Sequence, residues 1–263
     1  MYPELHIGPL TLQTFGLMFA LAFLAAGALI GKRLIELGKP VDWAYELGFA
    51  ALVGGVVGSR VYFVVQNYDS VKDDLLGNLF SGSGLVWYGG AIGGAIAVLL
   101  WAWYRDFLSL ALLDLAAPAL ALGYAIGRCG CQLSGDGDYG KPWDGPWAMS
   151  YPDGTVPTDR TVHPTPIYET LAMGLGAWIL WQLRDRFRAG VLFAIYLLYA
   201  GAERFLVEFL RRNSEVALGL TAAQLESLTM MVAGAVWILV VRRRHGSLSK
   251  VTSTEPIRPV AGV

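Results

Sequence analysis

The sequence predicts an all-α integral membrane protein, a polytopic bundle of about seven transmembrane helices. Three observations predict it. Hydrophobic residues make up 55% of the chain and charged residues only 16%, against roughly 25% charged in soluble domains, and the mean hydropathy is +0.48. Apolar stretches approaching the ~20 residues needed to cross a bilayer recur along the chain. Basic residues gather in alternate connections, as in a chain threaded through a membrane. The net charge of -1 gives no electrostatic case for binding nucleic acid. Nine Trp and twelve Tyr suit interfacial aromatic belts.

The spans are expected near residues 10–30, 43–65, 85–103, 108–126, 167–183, 191–206 and 225–241. Asp114 interrupts the fourth, and Glu203, Arg204 and Glu208 load the end of the sixth. Glycines cluster in the second (Gly54, Gly55, Gly58) and third (Gly89, Gly90, Gly93, Gly94). Close helix packing through small residues explains such clusters; close approach of backbone to a ligand is the alternative. Lys32, Arg33 and Lys39, then Arg105, then Arg184, Arg186 and Arg188, then Arg242–Arg244 and Lys250 fall on one side. That side is expected to be cytoplasmic, with the N-terminus outside and the C-terminus inside. Arg211 and Arg212 fall on the other side and break the pattern, through an irregular sixth span or contact with anionic lipid. Met1–Gly8 has no basic n-region, so no cleaved signal peptide is expected. Residues 1–246 are expected to form one transmembrane domain with outer loops 66–84 and 127–166, and residues 247–263 a disordered cytoplasmic tail. A loop as long as 127–166 is more than a connector, so any chemistry is expected at the outer side.

Arginines inside apolar segments are the sharpest chemical signal. Each costs about 2.5–3.5 kcal/mol at a bilayer centre on insertion scales, and Arg60, Arg128 and Arg204 all lie in or at the edge of a span. A planar, permanently charged fork of donors suits a phosphate. Arg128 opens a glycine-rich run from Gly127 to Gly140 that includes Gly130. Read as a loop, this run offers backbone N–H groups for an anion-binding nest. Asp136 and Asp138 would repel an anion, or else pair with arginines and orient them. Their Asp-x-Asp spacing lacks the further acidic ligands of a calcium loop, and no metal is expected. Cys129 and Cys131, one residue apart, read as small packing residues and not as a disulfide. His163-Pro164-Thr165-Pro166-Ile167-Tyr168-Glu169 leads into the fifth span, with Glu169 near a helix start. Glu203-Arg204 through Glu208 puts Arg204 and Glu208 on one helix face as an i, i+4 pair. Tyr88-Gly89-Gly90 enters the third span, with Tyr88 an interfacial anchor or a site hydroxyl.

These blocks, in this order, resemble bacterial prolipoprotein diacylglyceryl transferases over residues 14–244. The strongest matches are Gly127-Arg128 with its continuation, His163-Pro164 through Tyr168-Glu169, and Glu203-Arg204-Phe205-Leu206-Val207-Glu208; Gly58-Ser59-Arg60-Val61-Tyr62 and Tyr88-Gly89-Gly90 fit the same order. The resemblance implies transfer of the diacylglyceryl group of phosphatidylglycerol to the lipobox cysteine of a prolipoprotein signal peptide, releasing glycerol phosphate, as the first step of lipoprotein maturation. It implies a multi-pass protein of the bacterial cytoplasmic membrane, with membrane lipid around it and its active site toward the periplasm, and no metal or organic cofactor. Arg128 and Arg204 match arginines that handle the lipid headgroup, with Arg60, Gly130 and Gly140 expected beside them, and Glu169 and Glu208 match acidic positions. A cationic cavity is expected to favour the acceptor thiolate. Either Tyr88 or His163 is the expected proton carrier, with the choice between them left open. Tyr88 stands where many members carry His, Phe15 and Ala200 where many carry Tyr, and Cys131 where some carry Asn; the Gly135–Gly140 stretch is one residue longer than the commonest form. A paralogue with another acceptor, a lipid or small-anion transporter, and a lipid-binding scaffold remain open at this point.

Overall fold

The computed structural model describes residues 1–71 and 86–250. Most of the expected loop 66–84, the expected start of the third span at Leu85 and the tail beyond Lys250 lie outside the described residues. Seven helices of eighteen or more residues are present among the described residues: α1 (Thr14–Glu36), α2 (Asp42–Gln66), α4 (Trp87–Tyr104), α5 (Leu110–Ser134), α6 (Thr165–Leu183), α7 (Val191–Glu208) and α8 (Ala222–His245), with a four-residue α3 (Tyr68–Val71) between α2 and α4. Three antiparallel hairpins accompany them: β1 (Glu4–Ile7) with β2 (Leu10–Gln13), β3 (Met149–Tyr151) with β4 (Thr158–Val162), and β5 (Glu215–Ala217) with β6 (Leu220–Thr221). The chain is thus a helical membrane protein. Among the described residues four helices, α1, α2, α5 and α8, are long and apolar enough to cross a bilayer. α4 is apolar but shorter, and α7 carries Glu203, Arg204 and Glu208 in its last two turns.

Two expected boundaries move. The first helix starts at Thr14, not near residue 10, because Leu10–Gln13 pairs with Glu4–Ile7 and the Thr14 hydroxyl and N–H both bond back to Pro3. The fourth span does not end near residue 126. α5 runs on to Ser134 and stops where Gly135 takes a left-handed conformation, φ +58°, as helix C-caps commonly do. Gly127 and Gly130 are therefore helical residues, and the nest expected of 127–134 is replaced by two further helical turns that carry Arg128.

Small residues set how closely the helices approach. Gly54 and Gly58 on α2 face Gly89 and Gly93 on α4 so tightly that a Cβ at any of the four would overlap backbone of the other helix, the small-xxx-small solution to packing without a hydrophobic drive. Ala117, Ala121 and Ala125 form a stripe on α5 that packs with Met173, Ala177 and Leu180 of α6 and with Leu192 and Ala200 of α7. Following the main packed pairs gives the order α4–α2–α1–α5–α6–α7–α8. This is an open arc whose ends, α4 and α8, are not among the closely packed pairs.

The polar interruptions have structural partners. Asp114 accepts from the N–H groups of Gly190 (2.7 Å) and Phe193 (2.9 Å), so a carboxylate of α5 satisfies donors left open at the start of α7. Arg33 at the end of α1 pairs with Asp185 (2.7 Å) and Arg184 with Glu36 (2.9 Å), which brings two basic helix ends to one face. Residues 247–250 also stay on that face, where the Arg188 N–H donates to the Leu248 carbonyl and the Lys250 N–H to that of Arg186. Overpacking a core costs about 1–3 kcal/mol and occasionally more. At Gly58 the obstacle is backbone, so Gly58→Val is expected to destabilise the protein by about 3 kcal/mol or more, read as a lowered unfolding temperature in detergent.

Candidate active site

The face opposite Arg33 and Arg184 collects the end of α5, the loop to α6, the start of α6, the end of α7 and the β5–β6 hairpin. Pro164 and Pro166 bring the chain stiffly into α6, with Pro166 in its first turn. This delivers Glu169 into the interior, where its side chain has no exposure. Three arginines surround that one carboxylate. Arg128 Nη2 lies 3.2 Å and Arg204 Nη1 3.7 Å from its Oε1, and Arg211 Nη1 lies 3.6 Å from its Oε2. Tyr124, one turn before Arg128 on α5, donates to the same Oε1 (2.9 Å) and accepts from Arg128 Nη2 (2.9 Å).

Two further carboxylates complete the network. Asp138 meets both Arg128 and Arg211, and its backbone carbonyl accepts from Arg211 (3.1 Å) and from the Thr165 hydroxyl (2.6 Å). Glu208, whose side chain is also unexposed, lies 2.9 Å from Arg204 Nη1 and accepts from Thr221 Oγ1 and Asn213 Nδ2, both 2.7 Å. Arg204 Nη1 and Glu208 Oε2 are in contact but out of line for a hydrogen bond, and each is buried with no hydrogen-bond partner among the described residues. Burial pushes the Asp138 carboxyl up, but the facing Arg128 and Arg211 outweigh it and hold the group below its usual range. Neighbouring Asp136 has its carboxyl raised, chiefly by burial.

The expected cationic cavity is corrected by this count. Arg128, Arg204 and Arg211 are matched in ion pairs by Asp138, Glu169 and Glu208, so these six side chains are together formally neutral, and Glu203 lies within electrostatic reach of them. The physical reason is the desolvation cost of a buried charge, several kcal/mol per ion, which only partners can offset. Cys131, Asp136 and Asp138 bring ligand atoms within 4.8 Å of one another, but Asp138 is committed to two guanidinium groups, whose charge opposes a cation there.

Of the residues singled out in the sequence, Arg128, Arg204, Glu169 and Glu208 converge. Tyr88 lines a cleft of about 320 Å³ together with Arg204, Glu208, Asn213 and Thr221. Gly140 lies beneath the network: its N–H donates to the His163 carbonyl (2.8 Å), and a Cβ there would lie 2.5 Å from the Leu210 carbonyl. Gly130 faces α1, with Met18 and Phe15 against it. His163 stacks on Trp143 at 4.4 Å and contacts the Tyr168 hydroxyl at 3.3 Å, an aromatic cluster beside the network. Arg60 is buried on α2, a helix that contributes no side chain to the ion pairs of the network. Arg211 is the main residue that sequence reasoning misplaced: it is buried in the network instead of meeting lipid, and Arg212 covers the Tyr139 ring and donates to the Gly137 carbonyl. The i, i+3 spacing from Glu208 to Arg211 and the i, i+4 spacing from Tyr124 to Arg128 were the available signals.

A family model described as prolipoprotein diacylglyceryl transferase matches residues 4–240. The chain belongs to the prolipoprotein diacylglyceryl transferase family. It is 33% identical over 230 residues to the phosphatidylglycerol–prolipoprotein diacylglyceryl transferase of Clostridium tetani, covering 86% of this chain and 91% of that one. Proteins of the same name from Bordetella avium (33%, 91% of this chain and 94% of the other) and Methylobacillus flagellatus (32%, 92% and 96%) are similar over comparable lengths. Membership makes the chain a transferase, and the three-arginine network lies within the matched residues.

Two outcomes test the network. Removing one partner of a buried ion pair costs about 3–5 kcal/mol, so Glu169→Gln is expected to lose that much by chemical unfolding in detergent. Asp138 has a depressed native pKa. Its stabilisation is therefore complete above the unfolded carboxylate value of about 4 and is lost as pH falls through the native value below that. Asp138→Asn is expected to be less stable than the parent at pH 7, with the difference shrinking below about pH 4.

Proposed function

We propose that this protein transfers the diacylglyceryl group of phosphatidylglycerol to the thiol of a prolipoprotein lipobox cysteine, at the outer side of a bacterial cytoplasmic membrane. The observation that carries the reading is the convergence of Arg128, Arg204 and Arg211 on Glu169 at the end of the helical bundle, with Arg204 opening into the cleft that Tyr88 lines. Family membership supplies the reaction type. In this reading all seven long helices span the membrane, the face bearing Arg33, Arg105 and Arg184 is cytoplasmic, and the network faces the periplasm.

The neutral network has a role in this scheme. Its carboxylates hold three guanidinium forks in place before substrate arrives, and Arg204 keeps a misaligned N–H that an incoming phosphate oxygen can accept. The thiolate attacks the glyceryl carbon that bears the phosphate ester; the C–O bond breaks and its electron pair stays on the phosphate oxygen. Charge on the departing phosphate grows toward that of a monoester. Arginines fixed there bind that state better than the ground state, which is what lowers the barrier. Arg60, Gly130 and Gly140 are assigned supporting places: Arg60 toward the headgroup from α2, Gly140 in the close packing under the network, and Gly130 in seating α5 on α1.

Incubation with labelled phosphatidylglycerol and a lipobox peptide tests the proposal. A thioether-linked lipid and released glycerol phosphate are expected; lipid moved unchanged, or merely bound, would instead indicate a transporter or a scaffold. Losing one charge-stabilising contact typically costs a factor of 10²–10³ in rate. Arg128→Ala and Arg204→Ala are each expected to fall by about that factor in folded protein, and transfer near the parent rate in either would remove the assignment.

A further inference from the structure

The network leaves one step without a group to perform it: the acceptor thiol must lose a proton. An ordinary cysteine has a pKa near 8.5 and is only a few per cent thiolate at neutral pH. Protonating Glu169 or Glu208 would leave arginines facing neutral acids, so neither suits the task. His163 is stacked on Trp143 beside the network. Among the cleft-lining side chains Tyr88 remains, on the first turn of α4 and 44% exposed. A phenol of pKa about 10 is a poor base by itself.

Tyr88 does not act alone. Its hydroxyl donates a short hydrogen bond to Oε1 of Glu226, on the second turn of α8. Glu226 is the sole acidic residue in α8, within a segment otherwise apolar enough to cross the membrane. It forms no ion pair within 4.0 Å among the described residues, unlike Glu169 and Glu208. An ionisable side chain in such a segment is a functional candidate by default. Among the described residues, the groups facing the pair include Arg204 and Glu208 from α7 across the cleft and Tyr62 from α2. The bond also joins α4 to α8, the two ends of the helical arc.

We propose that Tyr88 and Glu226 form a proton-accepting pair for the acceptor cysteine, with Tyr88 meeting the thiol and Glu226 acting through it. The inference rests on the transferase reading above. As the thiol S–H bond breaks, its proton passes to the Tyr88 oxygen while the phenol proton passes to Glu226 Oε1. The sulfur keeps its electron pair and forms the C–S bond as the C–O bond to phosphate breaks. The proton held on Glu226 then leaves with the phosphate monoester, whose second pKa is near 6, and the carboxylate is restored. No oxidant, metal or further reactant enters the balance.

General base assistance is typically worth 10²–10⁴-fold. In the same labelled transfer assay, Glu226→Gln and Tyr88→Phe are each expected to lower kcat by about 10²-fold, with the KM for phosphatidylglycerol and the unfolding temperature held near parental values. The decisive variant is Tyr88→His in the Glu226→Gln background. An imidazole carries its own basic nitrogen with a pKa near 6.5, so this double variant is expected to recover at least ten-fold over Glu226→Gln alone. A merely structural tie between α4 and α8 would not be rescued in that way. Parental kcat in Glu226→Gln, or a folded double variant as slow as Glu226→Gln, overturns the pair. If the parental protein forms no thioether at all, it is the transferase reading that fails.

Discussion

One carboxylate organises the charged end of this protein. Glu169 has no exposure and is approached by arginines from α5, from α7 and from the residues just beyond α7. Without it three guanidinium groups would crowd one buried volume with mutual repulsion. With it they become a fixed array. The elements that hold it are local and legible: two prolines force an entry angle into α6, Tyr124 fixes one carboxylate oxygen, and Asp138 and Glu208 take up the remaining charge on each flank. Pairing each charge offsets the cost of burying the array. The same carboxylates that make the site foldable also make it ready.

Around this array the helices follow two packing regimes. Alanine stripes bring α5, α6 and α7 together where the charges are. Reciprocal glycines bring α2 and α4 into backbone contact at the other end of the arc. The first regime positions chemistry; the second builds a rigid pair able to present Tyr88 across a gap to α8. Among the described residues, a side-chain hydrogen bond from Tyr88 to Glu226 ties the two ends of the arc.

Much of this could be read from the residues. All seven apolar stretches became long helices, because hydropathy over about twenty residues is a strong and local signal. The i, i+4 pairing of Arg204 with Glu208 is equally local, and it is present. What failed was read from glycines. Gly127 and Gly130 look like loop residues, yet Gly130 is the notch that lets α5 lie on Phe15 and Met18 of α1; the demand for it comes from another helix. Ending that helix early hid the Tyr124–Arg128 face. Arg211 was misplaced for a related reason: charge statistics assign a side of the membrane, but a salt bridge to Asp138, 73 residues earlier in the chain, is decided by the fold. Glu226 drew no notice because its partner lies 138 residues away.

Asp114 has a reach beyond the end of the helix it completes. It grips the first N–H groups of α7 on the face opposite the site. From Val191 an unbroken α-helix climbs 1.5 Å per residue, so Arg204, thirteen residues on, stands about 20 Å above the grip. The helix is in effect a ruler clamped at one end, and its far mark is the Arg204 guanidinium. Arg204 is therefore indexed to the protein's own height and not to the surrounding lipid. A helix gripped at its base cannot slide, so the chain itself sets how far Arg204 stands from that grip.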